Sequence, residues 1–164
     1  MKIKLLSAII ISCLAAGPAS IYSAEECATK QNVNLSPDLL NLLREEMRAI
    51  ASGVQGVAFS LATADWKSIQ ATGAKIRASY IMEKKLTPAQ ADELEKALPE
   101  QFKKLDAEFH QRAEKLGAAA AAHDTELVAF HFSRLIESCA HCHSAYAIKR
   151  FPGFSSQTPL DHHH

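Results

Sequence analysis

The feature that most constrains the fold is a long apolar stripe that follows Ser36-Pro37-Asp38. Its members recur at the spacing of one helix face: Leu39, Leu43, Met47, Ile50, Val54, Val57 and Leu61. Ser36 is a good N-cap, Pro37 suits the first turn, and Asp38 favours the positive end of the helix dipole. We therefore predict a first helix from residue 36 to about residue 60.

Three more long helices are predicted. The second runs from Asp65 to about residue 85, and the third from Pro99 to about residue 115. The apolar face of the third helix consists of Phe102, Leu105, Phe109 and Leu116. Asp124 is a good N-cap for the fourth, over residues 125 to about 149. We expect Gly117 and the alanines at 118–122 to link the third and fourth helices.

A short extra helix is predicted between the second and the third. Thr87-Pro88-Ala89-Gln90 has the pattern of a capping box with Pro at the first helical position, and Pro99 interrupts the helix it opens. Four long amphipathic segments with short connections predict an all-α, antiparallel up-down four-helix bundle over residues 36–151. There is no convincing strand pattern, internal repeat or phosphate-binding loop.

The segments outside the bundle are assigned from their composition. Residues 1–24 have a basic start and a short apolar stretch, which predicts a signal peptide cleaved after Ala24. A lipoprotein with its lipid on Cys13 is the alternative. Residues 25–35 are expected to be a flexible lead-in, and residues 152–164 a loose tail whose closing histidines resemble a tag remnant. No later segment is apolar enough to span a membrane, so we expect an exported, periplasmic chain.

Charge and cysteine content exclude some classes of function and fold. The chain has 18 basic and 18 acidic residues, and loss of Lys2 and Lys4 with the signal peptide leaves 16 basic residues against 18 acidic. This balance gives no reason to expect nucleic acid as a partner. The mature chain would hold Cys27, Cys139 and Cys142, and an odd number of cysteines in an oxidising compartment argues against a simple disulfide framework. We assign no role to Cys27.

Residues 139–143 carry the clearest chemical signal. Cys139-Ala140-His141-Cys142-His143 is the Cys-x-x-Cys-His pattern of covalent haem c attachment. Residues i, i+3 and i+4 share a helix face, so both sulfurs can bond the two vinyl groups while the His143 imidazole reaches the iron. We therefore predict one covalently bound haem.

Two other uses of this segment, a redox dithiol and half of a zinc site, fit the sequence less well. A redox dithiol normally opens a helix after a strand, whereas this pattern lies late in a helix. Half of a zinc site would need a second Cys or His pair at a suitable spacing, and none is present. Haem attachment remains the better prediction.

With this haem motif near the end of a helical chain, the sequence resembles the class II cytochromes c, that is, the cytochrome c′ family and its low-spin relatives. Residues 43–48, Leu-Arg-Glu-Glu-Met-Arg, resemble the family's first-helix signature, and Tyr146 matches the aromatic residue after the haem histidine. Two details depart from the family. Arg44 and Met47 are three residues apart where four are expected, and Ala147 stands where the family usually has a basic residue.

The resemblance implies two functions, which differ in the sixth iron ligand. A Met ligand on the first helix implies a low-spin electron carrier, and Met47 is the candidate. Along antiparallel first and fourth helices, Met47 and His143 would differ in height by roughly 6 Å, which suits ligands on opposite sides of one iron. The alternative is that Met47 fills the core, which leaves a five-coordinate site for NO or CO. Met82 is a weaker ligand candidate. Four histidines are expected to be surface or satisfied polar residues: His110, His123, His131 and His141.

The remaining expectations concern partners and a second haem contact. Arg44, one turn before Met47, is a candidate partner of a haem propionate, and an exposed arginine without that role is the alternative. We expect redox protein partners and no enzymatic activity, because a peroxidase-like site would need a distal acid-base group that we could not assign from the sequence. The resemblance also implies a homodimer formed through the first two helices.

Overall fold

The computed structural model describes residues 33–156, which form six α-helices and a terminal 3₁₀ helix (Pro152–Ser156) and, within that range, no strand. The α-helices are α1 (Pro37–Ala62), α2 (Trp66–Arg77), α3 (Met82–Lys85), α4 (Pro88–Ala97), α5 (Glu100–Ala121) and α6 (Thr125–Tyr146). None of the helices in this part of the chain is long and apolar enough to cross a membrane. The predicted signal peptide and the tag-like histidines lie outside the described residues.

The four long helices form the predicted bundle. α2 packs on α1 and on α5, α5 packs on α6, and α6 also contacts α1, so the four helices close a ring. Short links at residues 63–65 and 122–124 make consecutive helices antiparallel neighbours. The bundle core consists of Ile50, Val54, Val57, Ile69, Ile76, Ala113, Leu116, Ala119, Ala120, Val128 and Leu135. The all-α four-helix bundle is therefore confirmed.

Small residues let α2 and α5 approach closely. A Cβ atom added to Gly73 would lie 2.6 Å from the Ala113 carbonyl oxygen and 3.0 Å from the Gly117 nitrogen. Ala119 and Ala120 of the same region are buried in the core. The prediction that Gly117 and the following alanines form a linker is therefore wrong, because burial against α2 keeps them helical.

The predicted second helix is wrong in its C-terminal part. α2 stops early, and Ser79 adopts a left-handed backbone with φ of 54°. The buried Glu46 carboxylate then accepts hydrogen bonds from the backbone N–H groups of Tyr80 (2.8 Å), Ile81 (2.6 Å) and Met82 (3.1 Å). These bonds replace the ones that a continuing helix would have made, and they open α3 instead.

Local capping signals mostly give the helix starts that were predicted. The Thr87 hydroxyl accepts a bond from the Gln90 N–H (3.3 Å) while the Gln90 side chain accepts one from the Thr87 N–H (3.1 Å), as in a capping box. Asp124 caps α6 through the Leu127 N–H at 2.9 Å. Ser36 is the exception, because its hydroxyl donates to Glu93 of α4 at 2.9 Å instead of capping α1.

A second apolar cluster lies beside the first half of α1. Leu35, Leu39 and Met82 are buried together, and side chains of α1 and α4 pack against them, as does Leu86 after α3. Leu35 falls in the segment expected to be a flexible lead-in, and Val33 of that segment also packs against the cluster. Residues 25–32 of the segment lie outside the described range. At the other end, α6 ends at Tyr146, and Pro152–Ser156 are helical although a loose tail was expected there.

Candidate functional site

The Cys-x-x-Cys-His segment lies in the last two turns of α6. Cys139 and Cys142 are free thiols, each partly buried, and His143 is partly buried beside them. The Cys139 thiol donates to the Leu135 carbonyl at 3.4 Å. His141, between the cysteines, is exposed. The helix thus presents the two thiols and the His143 imidazole together, as the spacing predicted.

Burial keeps these groups in their uncharged forms. Burial raises the pKa of Cys139. Burial, the Asp106 carboxylate and the neighbouring Cys139 together raise the pKa of Cys142 to about 11. Burial also lowers the pKa of His143, and the nearby Arg150 lowers it further. A redox dithiol needs a low-pKa thiolate, so these thiols do not have that character. Within residues 33–156 no group of three or more His, Cys, Asp or Glu could hold a metal ion.

A cavity of about 290 Å³ opens between α1, the α3–α4 segment and α5, and we call it the α1–α5 cavity. Its walls are formed by Leu43, Glu46, Met47, Ile50, Arg77, Ala78, Ser79, Met82, Glu83, Leu86, Leu94, Leu98, Phe102, Asp106, Phe109 and His110. Met47 was expected to point into the bundle, but its side chain is 39% exposed and faces this cavity instead of the core. Arg44 is exposed and is not part of the wall.

Two residues of α5 connect this cavity with the cysteine-bearing face of α6. Phe102, in the cavity wall, makes an edge-to-face contact with Tyr146 at 5.0 Å between ring centroids. Asp106, one turn further along α5, lies close enough to Cys142 for its charge to raise the pKa of that thiol. Met47 and the haem-attachment segment therefore border the same side of α5.

The structure adds a polar pair that the sequence did not identify. The His110 Nδ1 atom lies 2.7 Å from the Ile76 carbonyl oxygen, and its Nε2 atom lies 3.7 Å from Asp106. Asp106 is the main reason that the pKa of His110 is raised, although burial opposes the shift. From the sequence His110 was expected to be a surface or satisfied polar residue. It does have polar contacts, yet it also lines the cavity.

A signal for this wall was present in the sequence. Phe109 and His110 follow Asp106 by three and four residues, and Phe102 precedes it by four, so these residues lie around one face of α5. Only Phe102 and Phe109 were recognised, as part of an apolar stripe. Glu46 carried no comparable signal, because its three partners lie 34 to 36 residues away.

The residues present fit a haem attached through two thioethers. The donor set consists of two protonated thiols one turn apart and a histidine whose neutral form is favoured, all on one face of α6. The adjoining cavity has the apolar and aromatic wall that a large flat cofactor needs, with Leu43, Phe102 and Phe109 among its members. The haem would thus be held by α6 and packed against α1 and α5.

Comparison with known proteins agrees with this assignment. The family model described as Cytochrome C′ matches residues 33–147, which include every helix of the bundle and the attachment segment. No curated protein and no solved structure matches the chain. Because the family match covers most of the chain, this protein belongs to the cytochrome c′ family, whose members carry covalently bound haem c with its iron.

Proposed function

We propose that this protein carries single electrons in the bacterial periplasm. One haem is attached to Cys139 and Cys142, and its iron is ligated by His143 and Met47. Other redox proteins deliver and accept the electron. Only the oxidation state changes in this function, so the protein is not an enzyme.

The observation that carries the proposal is the environment of Met47. A methionine that only fills the core is expected to be buried, as Met82 is at 8% exposure. Met47 is 39% exposed instead and lines the α1–α5 cavity. Phe102 and Asp106 in the wall of that cavity also adjoin the haem-attachment face. Met47 thus borders the same face of α5 as Tyr146 and Cys142 of α6, which supports its role as the second iron ligand.

The surrounding residues favour a relatively high reduction potential. Haem iron, when bound, supplies a reversible one-electron couple. Ligation by Met47 and His143 favours the reduced state, as it does in cytochromes c generally. Leu43, Ile50 and Phe109 supply an apolar part of the cavity wall, and apolar surroundings disfavour the more highly charged oxidised state.

A gas-binding function is the second candidate, and the cavity favours it. A space of about 290 Å³ beside Met47 has room for NO or CO next to the iron if the thioether does not occupy the sixth position. Met47 would then only border the ligand space.

The absorption spectrum of the haem-matured protein separates these functions. We expect low-spin spectra, oxidised and reduced, that carbon monoxide does not change. Met47→Leu should give a high-spin spectrum that shifts with carbon monoxide. Met82→Leu is the matched control, because Met82 lines the same cavity and should leave the spectrum unchanged.

Three outcomes would count against parts of the proposal. An unchanged spectrum in Met47→Leu would exclude Met47 as the ligand. A high-spin, gas-sensitive wild-type protein would favour the gas-binding function. Absence of covalent haem would remove the basis of both functions. The periplasmic location is tested separately, by asking whether protein exported from a bacterial host begins at Glu25.

A further inference from the structure

The chain folds back on itself directly after α6. The backbone N–H groups of Arg150 and Phe151 both donate to the Ala147 carbonyl, at 2.9 and 3.0 Å, and the Phe154 N–H donates to the Phe151 carbonyl at 3.1 Å. This turn carries the Phe151 ring back over the last turn of the helix. Its centroid lies 4.5 Å from that of the His143 imidazole, and the two ring planes are only 22° apart.

The stack leaves the metal-binding edge of His143 open. A histidine that ligates a metal is normally oriented by a hydrogen bond from its other ring nitrogen. Within residues 33–156 His143 forms no such bond through its ring, and its described ring contact is the one with Phe151. Stacking uses the face of the imidazole, whereas an iron bond uses a lone pair in the ring plane. The two contacts can therefore exist together.

The phenyl ring is itself held in place. The Arg150 guanidinium carbon lies 5.9 Å from the Phe151 ring centroid, within the range of a cation–π contact. The two backbone bonds to Ala147 fix the residues that carry both groups. The Phe151 ring is thus restrained by a contact in addition to its stack with His143.

We propose that Phe151 is a positioning residue for His143: its ring fixes the rotation of the imidazole and shields its outer face from water. The inference rests on the proposed ligation by His143 and adds the element that sets the orientation of this ligand. It does not depend on Met47, because it concerns the histidine side of the iron.

The test compares three variants of the haem-matured protein. Phe151→Leu removes the flat ring, Phe151→Tyr keeps it, and Phe154→Leu changes the same segment without touching the stack. We expect Phe151→Leu to alter the pattern of haem methyl resonances in the oxidised protein, since that pattern depends on the orientation of the axial imidazole. We also expect its reduction potential to fall by roughly 20 to 60 mV, a two- to tenfold change in the ratio of redox states.

The other two variants decide the interpretation. Phe151→Tyr should retain the wild-type resonance pattern, and Phe154→Leu should leave it unchanged. If Phe151→Leu has the wild-type pattern and potential, or if Phe154→Leu reproduces its effects, the inference is wrong. Should Phe151→Leu fail to take up haem, Phe151→Met provides an unbranched apolar replacement for the same comparison. A gas-sensitive wild-type protein would refute Met47 ligation and leave this test intact.

Discussion

The Glu46 carboxylate ties α1 to the start of α3, because its Oε2 atom accepts a 2.6 Å hydrogen bond from the Ile81 N–H. Two further backbone N–H groups donate to the same side chain, which is 2% exposed. Glu46→Ala would leave these donors without their acceptor in a buried setting. We expect it to lower the free energy of unfolding by about 3 kcal/mol.

Urea denaturation measures this loss, and Glu45→Ala is the control. Glu45 precedes Glu46 but makes only a surface ion pair with Lys85 at 3.4 Å. Its replacement should cost less than about 1 kcal/mol. Equal effects of the two substitutions would show that the buried hydrogen bonds are not the source of the stability.

The space around an added Cβ atom predicts opposite effects for two glycines, one in α2 and one in α1. An added Cβ at Gly73 would lie 2.6 Å from the Ala113 carbonyl oxygen, and backbone cannot easily move away. Gly73→Ala should therefore destabilise the protein by about 1 to 3 kcal/mol. Gly56 has no atom within 4 Å of an added Cβ, so Gly56→Ala should stabilise α1 by about 0.5 to 1 kcal/mol. Thermal unfolding followed by circular dichroism measures both, and a stable Gly73→Ala variant would contradict the packing described.

Stability should depend on pH through His110. Its pKa is raised in the folded state, chiefly by Asp106. Protonated His110 therefore stabilises the folded state fully when the pH is below the pKa of histidine in the unfolded chain, about 6.5. This stabilisation is lost as the pH rises through the pKa of His110 in the folded state. His110→Gln should remove this part of the pH dependence.

His131 provides a control of opposite sign. Burial lowers its pKa, and Lys115 lowers it further, so its contribution is lost as the pH falls below about 6.5. Urea midpoints of wild type, His110→Gln and His131→Gln at several pH values test both signs. If His110→Gln follows the wild-type pH profile, the pairing with Asp106 does not contribute to stability.

Arg44 should influence the reduction potential if it pairs with a haem propionate. It is exposed, so the contact is worth little, and Arg44→Gln should lower the potential by roughly 30 mV, a threefold change in the ratio of redox states. Arg48→Gln, at another exposed arginine of α1, tests whether any nearby positive charge has this effect. Equal shifts in both variants would show that Arg44 acts only through its positive charge and not through a specific contact with a propionate.

The sequence predicted features that depend on neighbouring residues. The capping box at Thr87 and the N-cap at Asp124 operate within three residues of themselves, and both occur as predicted. The haem-attachment segment was equally clear, because its spacing is that of one helix face. Helix periodicity gave the number of long helices and hence the bundle.

Features that depend on distant contacts were missed. The break after α2 is made by Glu46, which in the sequence is one of several charged residues on α1. The helical state of the region around Gly117 depends on its packing against Gly73. Met47 has the periodicity of a core residue but faces a cavity that only the assembled helices create. His110 shares a face of α5 with other wall residues, but the sequence does not show that this face borders a cavity.

The high pKa of Cys142 has a consequence for the time before haem is attached. The raised pKa of Cys142 keeps this thiol protonated at neutral pH, and only the ionised form attacks disulfides or oxidants at an appreciable rate. Before haem is attached, the folded polypeptide would therefore form wrong cross-links through Cys142 slowly. The folded bundle would thus protect the Cys142 thiol kinetically until the haem is attached.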